Sequence, residues 1–165
     1  MKTSEKGIQA IKRFESLHDG DLKIIGLQPK MCPAGYWTEG YGSLVLDNKG
    51  NKIQGSIKKE LAYKYAKIHN EKEAEEALKK DLATRESMVN SLQLQLTQGQ
   101  FDALVDFCYN VGFANLKAST LLQKIKANIN DESIKKEFLR WSFAGGKQLK
   151  GLIIRRQTEA EWFFN

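Results

Sequence analysis

Glu15, Cys32 and Thr38 are the residues of this 165-residue chain whose types and placement suit chemistry. Glu15 stands four positions after Ile11 and seven after Ile8, so its carboxyl group projects along an apolar helical stripe. A carboxyl group set among apolar neighbours keeps its proton to higher pH than one in water, which is what a general acid requires. The competing reading of Glu15 is a structural ion pair, with Arg155 or Arg156 as the cation. Cys32 opens the run Cys32-Pro33-Ala34-Gly35-Tyr36-Trp37-Thr38. A thiol has a reference pKa of about 8.5 and is largely protonated at neutral pH unless a cation assists, so a lone Cys is otherwise a packing residue. Thr38 falls on a short strand that places Tyr36, Thr38 and Gly40 on one face and Trp37, Glu39 and Tyr41 on the other. Gly40 and Gly42 leave space for a ligand to approach the backbone, although a Thr also simply suits a strand. An acid followed by a thiol and a hydroxyl fits acid-assisted hydrolysis better than it fits packing. Asp19 and Asp21 are further carboxylates in the intervening loop, where a solvated turn also accounts for them.

The elements that must hold these residues can be read from periodicity. Residues 4–17 carry Ile8, Ile11, Phe14 and Leu17 on one helical side, and His18-Asp19-Gly20-Asp21 breaks the pattern. From about 22 to 56 the chain reads as short strands and turns, with Asp47-Asn48-Lys49-Gly50-Asn51 as a hairpin tip. That tip lacks the alternating acids and closing Glu of a calcium loop. Beyond 56 the chain reads as helical to its end. Asn70 with Glu73 and Thr97 with Gln100 have capping-box spacing, and Asp131 is placed to cap the helix that follows it. Ser119 is placed to cap 120–127. Residues 101–111 are nearly apolar, as in a central buried helix. The last helix, about 151–164, turns Leu152, Ile153, Trp162 and Phe163 to a core and Arg155 and Arg156 elsewhere. The fold class is α+β, one small sheet early and many helices after it.

Composition narrows the function classes. The chain is 41% hydrophobic and 28% charged, with a net charge of +6. No apolar run approaches the ~18 residues of a membrane span, and the first fifteen residues lack the apolar stretch of a signal peptide. Cys32 and Cys108 have no CxxC spacing; Cys108, inside an apolar run, reads as an inert buried thiol, with a Cys32–Cys108 disulfide as the alternative. His18 and His69 have no metal-ligand spacing, so no metal is expected. The positive charge favours an anionic partner, which nucleic acid, an acidic membrane and an anionic wall polymer all satisfy. The lysines are scattered and no nucleic-acid motif is present, so charge alone does not choose among these.

Arg13-Phe14-Glu15, the Cys32–Thr38 run and Gly40-Tyr41-Gly42 closely resemble the phage-type lysozymes, the endolysins of glycoside hydrolase family 24. Leu96-Thr97-Gln98-Gly99-Gln100-Phe101-Asp102-Ala103-Leu104, Tyr109-Asn110-Val111-Gly112, Arg140-Trp141, Ala144-Gly145-Gly146-Lys147, Gly151-Leu152 and Arg155-Arg156 extend the resemblance in order along the chain. The resemblance implies one lysozyme-like domain over 1–165. It has a β-containing lobe at about 18–68, a connecting helix at about 70–90, and a helical lobe at about 91–165 with the N-terminal helix 4–17; the active-site cleft lies between the lobes. It implies a monomer that hydrolyses the β-1,4 bond between N-acetylmuramic acid and N-acetylglucosamine in peptidoglycan, without a cofactor, nucleic-acid partner or stable membrane association. It also implies production in the cytoplasm and action on the wall after release through a separate lesion. In the family's acid–Asp/Cys–Thr set, Glu15 matches the acid, Cys32 the Asp-or-Cys position and Thr38 the Thr. Leu44, Tyr109, Asn110 and Thr120 match glycan contacts.

The chain departs from the family pattern at three places. The stretch between Glu15 and Cys32 is longer than usual, which lets Asp19 or Asp21 compete with Cys32 for the second role. Ser43 stands where many relatives have His, removing an expected ion-pair partner. Residues 44–68 are also extended. Two rival readings follow: a degenerate, non-catalytic homologue that grips glycan, and a basic nucleic-acid-binding protein supported by charge alone.

Overall fold

The computed structural model describes all residues from Met1 to Asn165. Its contacts group the chain into two compact units, one formed by Glu15–Asp81 and the other by Met1–Phe14 with Leu82–Asn165. Helix α1, Glu5–Glu15, ends where the first of these begins.

Within Glu15–Asp81, three short strands form an antiparallel sheet in the order β1 (Lys30–Met31), β2 (Trp37–Glu39), β3 (Ser43–Leu44). The register pairs Lys30 with Thr38 and Met31 with Trp37, then Thr38 with Leu44 and Glu39 with Ser43. Directly opposed residues of an antiparallel pair project from the same face, so Lys30, Thr38 and Leu44 share one face. A bridge from His18 to Gly40 brings the segment after α1 onto the same sheet. The opposite face supplies the core: Trp37 joins Val45, Ile53 and Ala62, and meets Tyr63 edge-on at 6.1 Å. Glu39, also buried, accepts the backbone N–H groups of Lys67 at 2.7 Å and Ile68 at 2.9 Å, so its carboxylate clasps the approach to the next long helix. The hairpin tip forms as expected, with Asp47 Oδ1 accepting from the Lys49 and Asn51 amides. These bonds, the one from Asn51 first, hold the Asp47 carboxyl below its usual range.

A 3₁₀ turn at Ser56–Lys58 leads into α2, Lys59–Tyr65, and then into α3, Glu71–Asn90. Asn70 caps α3 through the Glu73 amide at 3.0 Å, while the Glu73 carboxylate reaches back to the His69 amide at 2.7 Å. Helix α3 contributes its first half to one unit and its second half, from Leu82, to the other.

The second unit is helical: α4 (Gln98–Val111), α5 (Phe113–Ala118), α6 (Thr120–Ala127), α7 (Ile134–Leu139) and α8 (Lys150–Phe164). Thr97 and Gln100 close the expected capping box on α4, which buries every residue from Gln100 to Cys108. Helix α8 packs on α4 and α7, and Phe107 meets Phe138 and Trp141 edge-on at 5.6 and 5.5 Å. Ser119 caps α6 by accepting the Leu122 amide at 3.1 Å.

Three expectations are corrected here. Arg155 and Arg156 do not face away from the core; they are 4% and 0% exposed. Arg155 is drawn inward by a two-point bond to Asp106 of α4, at 2.7 and 3.2 Å, and Arg156 by Glu159 at 2.6 Å. Burial, reinforced by the Asp106 carboxylate, pushes Glu159 well above the usual range, and the two arginines oppose that. Asp131 does not cap α7: Ser133 holds the cap position, and Asp131 instead accepts from the Ser133 amide and hydroxyl at 2.9 and 2.8 Å in the preceding turn. The chain is also not helical throughout its second half. Residues Phe143–Ala144 (β4) and Lys147–Gln148 (β5) form a hairpin, closed by Gly145 and Gly146 at φ 58° and 75°. Two consecutive left-handed residues make the turn type that favours glycine at both positions.

Candidate functional site

Glu15 is the last residue of α1 and is half-buried. Ser16 follows at φ 60°, a left-handed conformation uncommon for a side-chain-bearing residue, and it turns the chain off the helix axis toward the sheet. The Glu15 carboxyl lies beside the Gly40–Gly42 turn. A Cβ on Gly42 would come within 3.5 Å of Glu15 Oε2, and Gly42 itself has φ 95°. Glycine there meets the backbone requirement and leaves the flank of the carboxyl group clear.

Thr38 is held on the central strand and is buried. Its hydroxyl is within donating distance of the Lys30 carbonyl, at 3.0 Å, and of His18 Nδ1, at 2.9 Å. The His18 backbone in turn donates to the Gly40 carbonyl at 2.8 Å. Burial, and then the Lys30 ammonium, lower the His18 pKa from its ordinary value, while the Glu15 carboxylate and backbone carbonyl act in the opposite sense. Nothing in the sequence alone marks His18 for this position. The contact depends on pairing with a segment about twenty residues away, and the only local sign is a ring-bearing residue at the break of the first helix.

Cys32 lies just past β1, in a turn closed by Gly35 N–H to the Cys32 carbonyl at 2.8 Å and Cys32 N–H to the Tyr36 carbonyl at 2.8 Å. It continues the alternation of Lys30, so it falls on the Thr38 face, where Leu44 is also exposed. Its thiol is free and half-buried. Cys108 is likewise free but fully buried; desolvation raises its pKa to about 11 against a weaker opposing effect of Arg85, so it is the inert thiol expected. Asp19 and Asp21 serve their own loop, Asp19 accepting the Asp21 amide at 3.2 Å and Asp21 the Lys23 amide at 3.1 Å. Ser43 donates its hydroxyl to Asp81 at 2.8 Å, a single hydrogen bond where the family pattern has a His.

Glu15, Cys32, Thr38 and Leu44 thus belong to one unit, and Tyr109, Asn110 and Thr120 to the other. Tyr109 lies under the Arg85 guanidinium at 5.9 Å, and Asn110 Oδ1 accepts from Arg156 at 3.1 Å. Thr120, exposed at the start of α6, lines a pocket of ≈ 340 Å³ with Ser119, Arg140 and Trp141. No His, Cys, Asp and Glu side chains converge in a group of three fit to hold a metal.

Residues 23–159 match the family model described as phage lysozyme, a span that begins after Glu15. The endolysin of Bacillus phage B103 is 35% identical over 164 residues, covering 99% of this chain and 54% of that protein. The endolysin of Acyrthosiphon pisum secondary endosymbiont phage 1 is 36% identical over 169 residues, covering 99% of this chain and 98% of that protein. The chain therefore spans about half the length of the first relative and nearly all of the second. Among solved structures, the muramidase domain of SpmX from Asticaccaulis excentricus superposes with a TM-score of 0.71 at 27% identity, covering 99% of this chain and 98% of that one.

Proposed function

The chain belongs to the phage lysozyme family and has its lysozyme-like α+β fold, and on that premise we propose that it is a muramidase. Its substrate in this reading is peptidoglycan, and the bond it hydrolyses is the β-1,4 link from N-acetylmuramic acid to N-acetylglucosamine. Glu15 donates its proton to the bridging oxygen as the bond to the anomeric carbon breaks through an oxocarbenium-like state. A water then completes the reaction, steered by the Thr38 hydroxyl, with Cys32 on the same sheet face as the second group. Leu44, Tyr109, Asn110 and Thr120 are the proposed glycan contacts. The protein acts as a monomer, made in the cytoplasm and acting on the wall once another agent has opened the membrane. No helix of the chain is long and apolar enough to cross one.

The observation that supports this reading most is the position of the Glu15 carboxyl, carried on a helix end and set against the glycine-lined turn that follows the Thr38 strand. A turbidity assay on chloroform-treated Gram-negative cells tests it. The wild-type protein clears the suspension, and Glu15→Gln, with unchanged thermal unfolding, slows clearing by roughly 10²–10⁴-fold, the range of a lost general acid. Wild-type protein that sediments with the cells and never clears them would make the chain a glycan-binding homologue instead.

A further inference from the structure

Thr38 has one hydroxyl proton and two acceptors within reach, the Lys30 carbonyl at 3.0 Å and His18 Nδ1 at 2.9 Å. Which acceptor receives it depends on the state of the imidazole. With its hydrogen on Nε2, the neutral ring offers Nδ1 as an acceptor; Thr38 donates there, and both oxygen lone pairs stay open. With Nδ1 protonated, the ring donates to Thr38, one lone pair is consumed, and the Thr38 proton turns to the Lys30 carbonyl. His18 is built into this position rather than resting against it. Its backbone bridges to Gly40, two residues beyond Thr38 on the same face, so ring and hydroxyl are held by one sheet register.

We propose that His18 is a positioning residue for the hydrolysis, setting the direction of the Thr38 hydroxyl so that its oxygen accepts a hydrogen from the attacking water. The inference rests on the muramidase reading and adds to it a residue and a pH dependence. The charged groups bearing on the ring are Lys30 from β1 and Glu15 from the end of α1, and Thr38 of β2 is its hydrogen-bond partner. Burial and Lys30 lower the His18 pKa from its ordinary value, so the productive orientation holds at neutral pH and is lost as pH falls through that lowered value. The same shift makes a stability statement. The neutral form is favoured in the fold, so its contribution is full above the unfolded-state pKa and is lost as pH falls through the folded one.

The test uses His18→Asn, whose amide reaches the place of Nδ1 without titrating. Nitrogen NMR of the wild-type protein at pH 7 is expected to show a neutral His18 with hydrogen on Nε2. The acid limb of the kcat profile on peptidoglycan is expected to flatten in His18→Asn, with KM unchanged within about twofold and cooperative unfolding retained. An Nδ1–H tautomer at pH 7, or an acid limb identical in the two proteins, overturns the role of His18. Should the wild-type protein release no glycan ends at all, the muramidase reading fails instead, and the NMR result still decides which way Thr38 points.

Discussion

Two thiols of one chain show how neighbours divide a single chemistry. Cys32 is half-buried in a turn beside the Thr38 strand, whereas Cys108 is sealed within α4 and its thiol is raised to about 11. A disulfide-exchange reagent added to the native protein at pH 8 is expected to label Cys32 alone, with Cys108 reacting only after unfolding; rapid labelling of both would contradict the burial. Glu15, Cys32 and Thr38 can be singled out because their spacing and their Pro/Gly-marked surroundings survive in a linear string, and all three fall in one compact unit. His18 cannot be, since a side chain meets Thr38 only once two distant segments pair. Asp19 and Asp21 each accept an amide two positions on, a local effect that short acids show in turns, and their competition with Cys32 for the second role is left to the reaction itself.

Among the elements, the buried charges of α4 and α8 have the largest stake. Arg155 and Asp106 are almost wholly removed from water and joined by two hydrogen bonds. Arg155→Met leaves the Asp106 carboxylate buried without that partner and is expected to cost about 3–5 kcal/mol in urea unfolding. Adding Asp106→Leu should restore part of the loss, and a single-variant cost under about 1 kcal/mol would show that the pair contributes little. Apolar periodicity ranks charged residues as outward-facing, which is why it does not predict the buried positions of Arg155 and Arg156. The correcting signal was present: Asp102 and Asp106 sit inside an otherwise apolar run, and buried carboxylates need donors. Capping residues were read well at Thr97, Ser119 and Asn70, where one side chain meets one nearby amide. The β4–β5 hairpin is invisible to periodicity because its strands are two residues long, and its one sequence signal is the Gly145-Gly146 turn.

For the whole molecule, charge and family membership bear on the same substrate. A net charge of +6 favours association with an anionic wall polymer. Sedimentation of Glu15→Gln with purified sacculi is expected to weaken as salt rises past about 0.1 M, where the screening length is ~10 Å; binding indifferent to salt would leave the charge without a role in substrate capture. The central claim is that Glu15 gives its proton to a muramic acid linkage. Borohydride reduction of the sugars released from sacculi tests it most directly, because it marks the residue at each new chain end. The expected result is reduced muramic acid from the wild-type protein and none above background from Glu15→Gln. Reduced glucosamine at the new ends, or equal release by the two proteins, would contradict it.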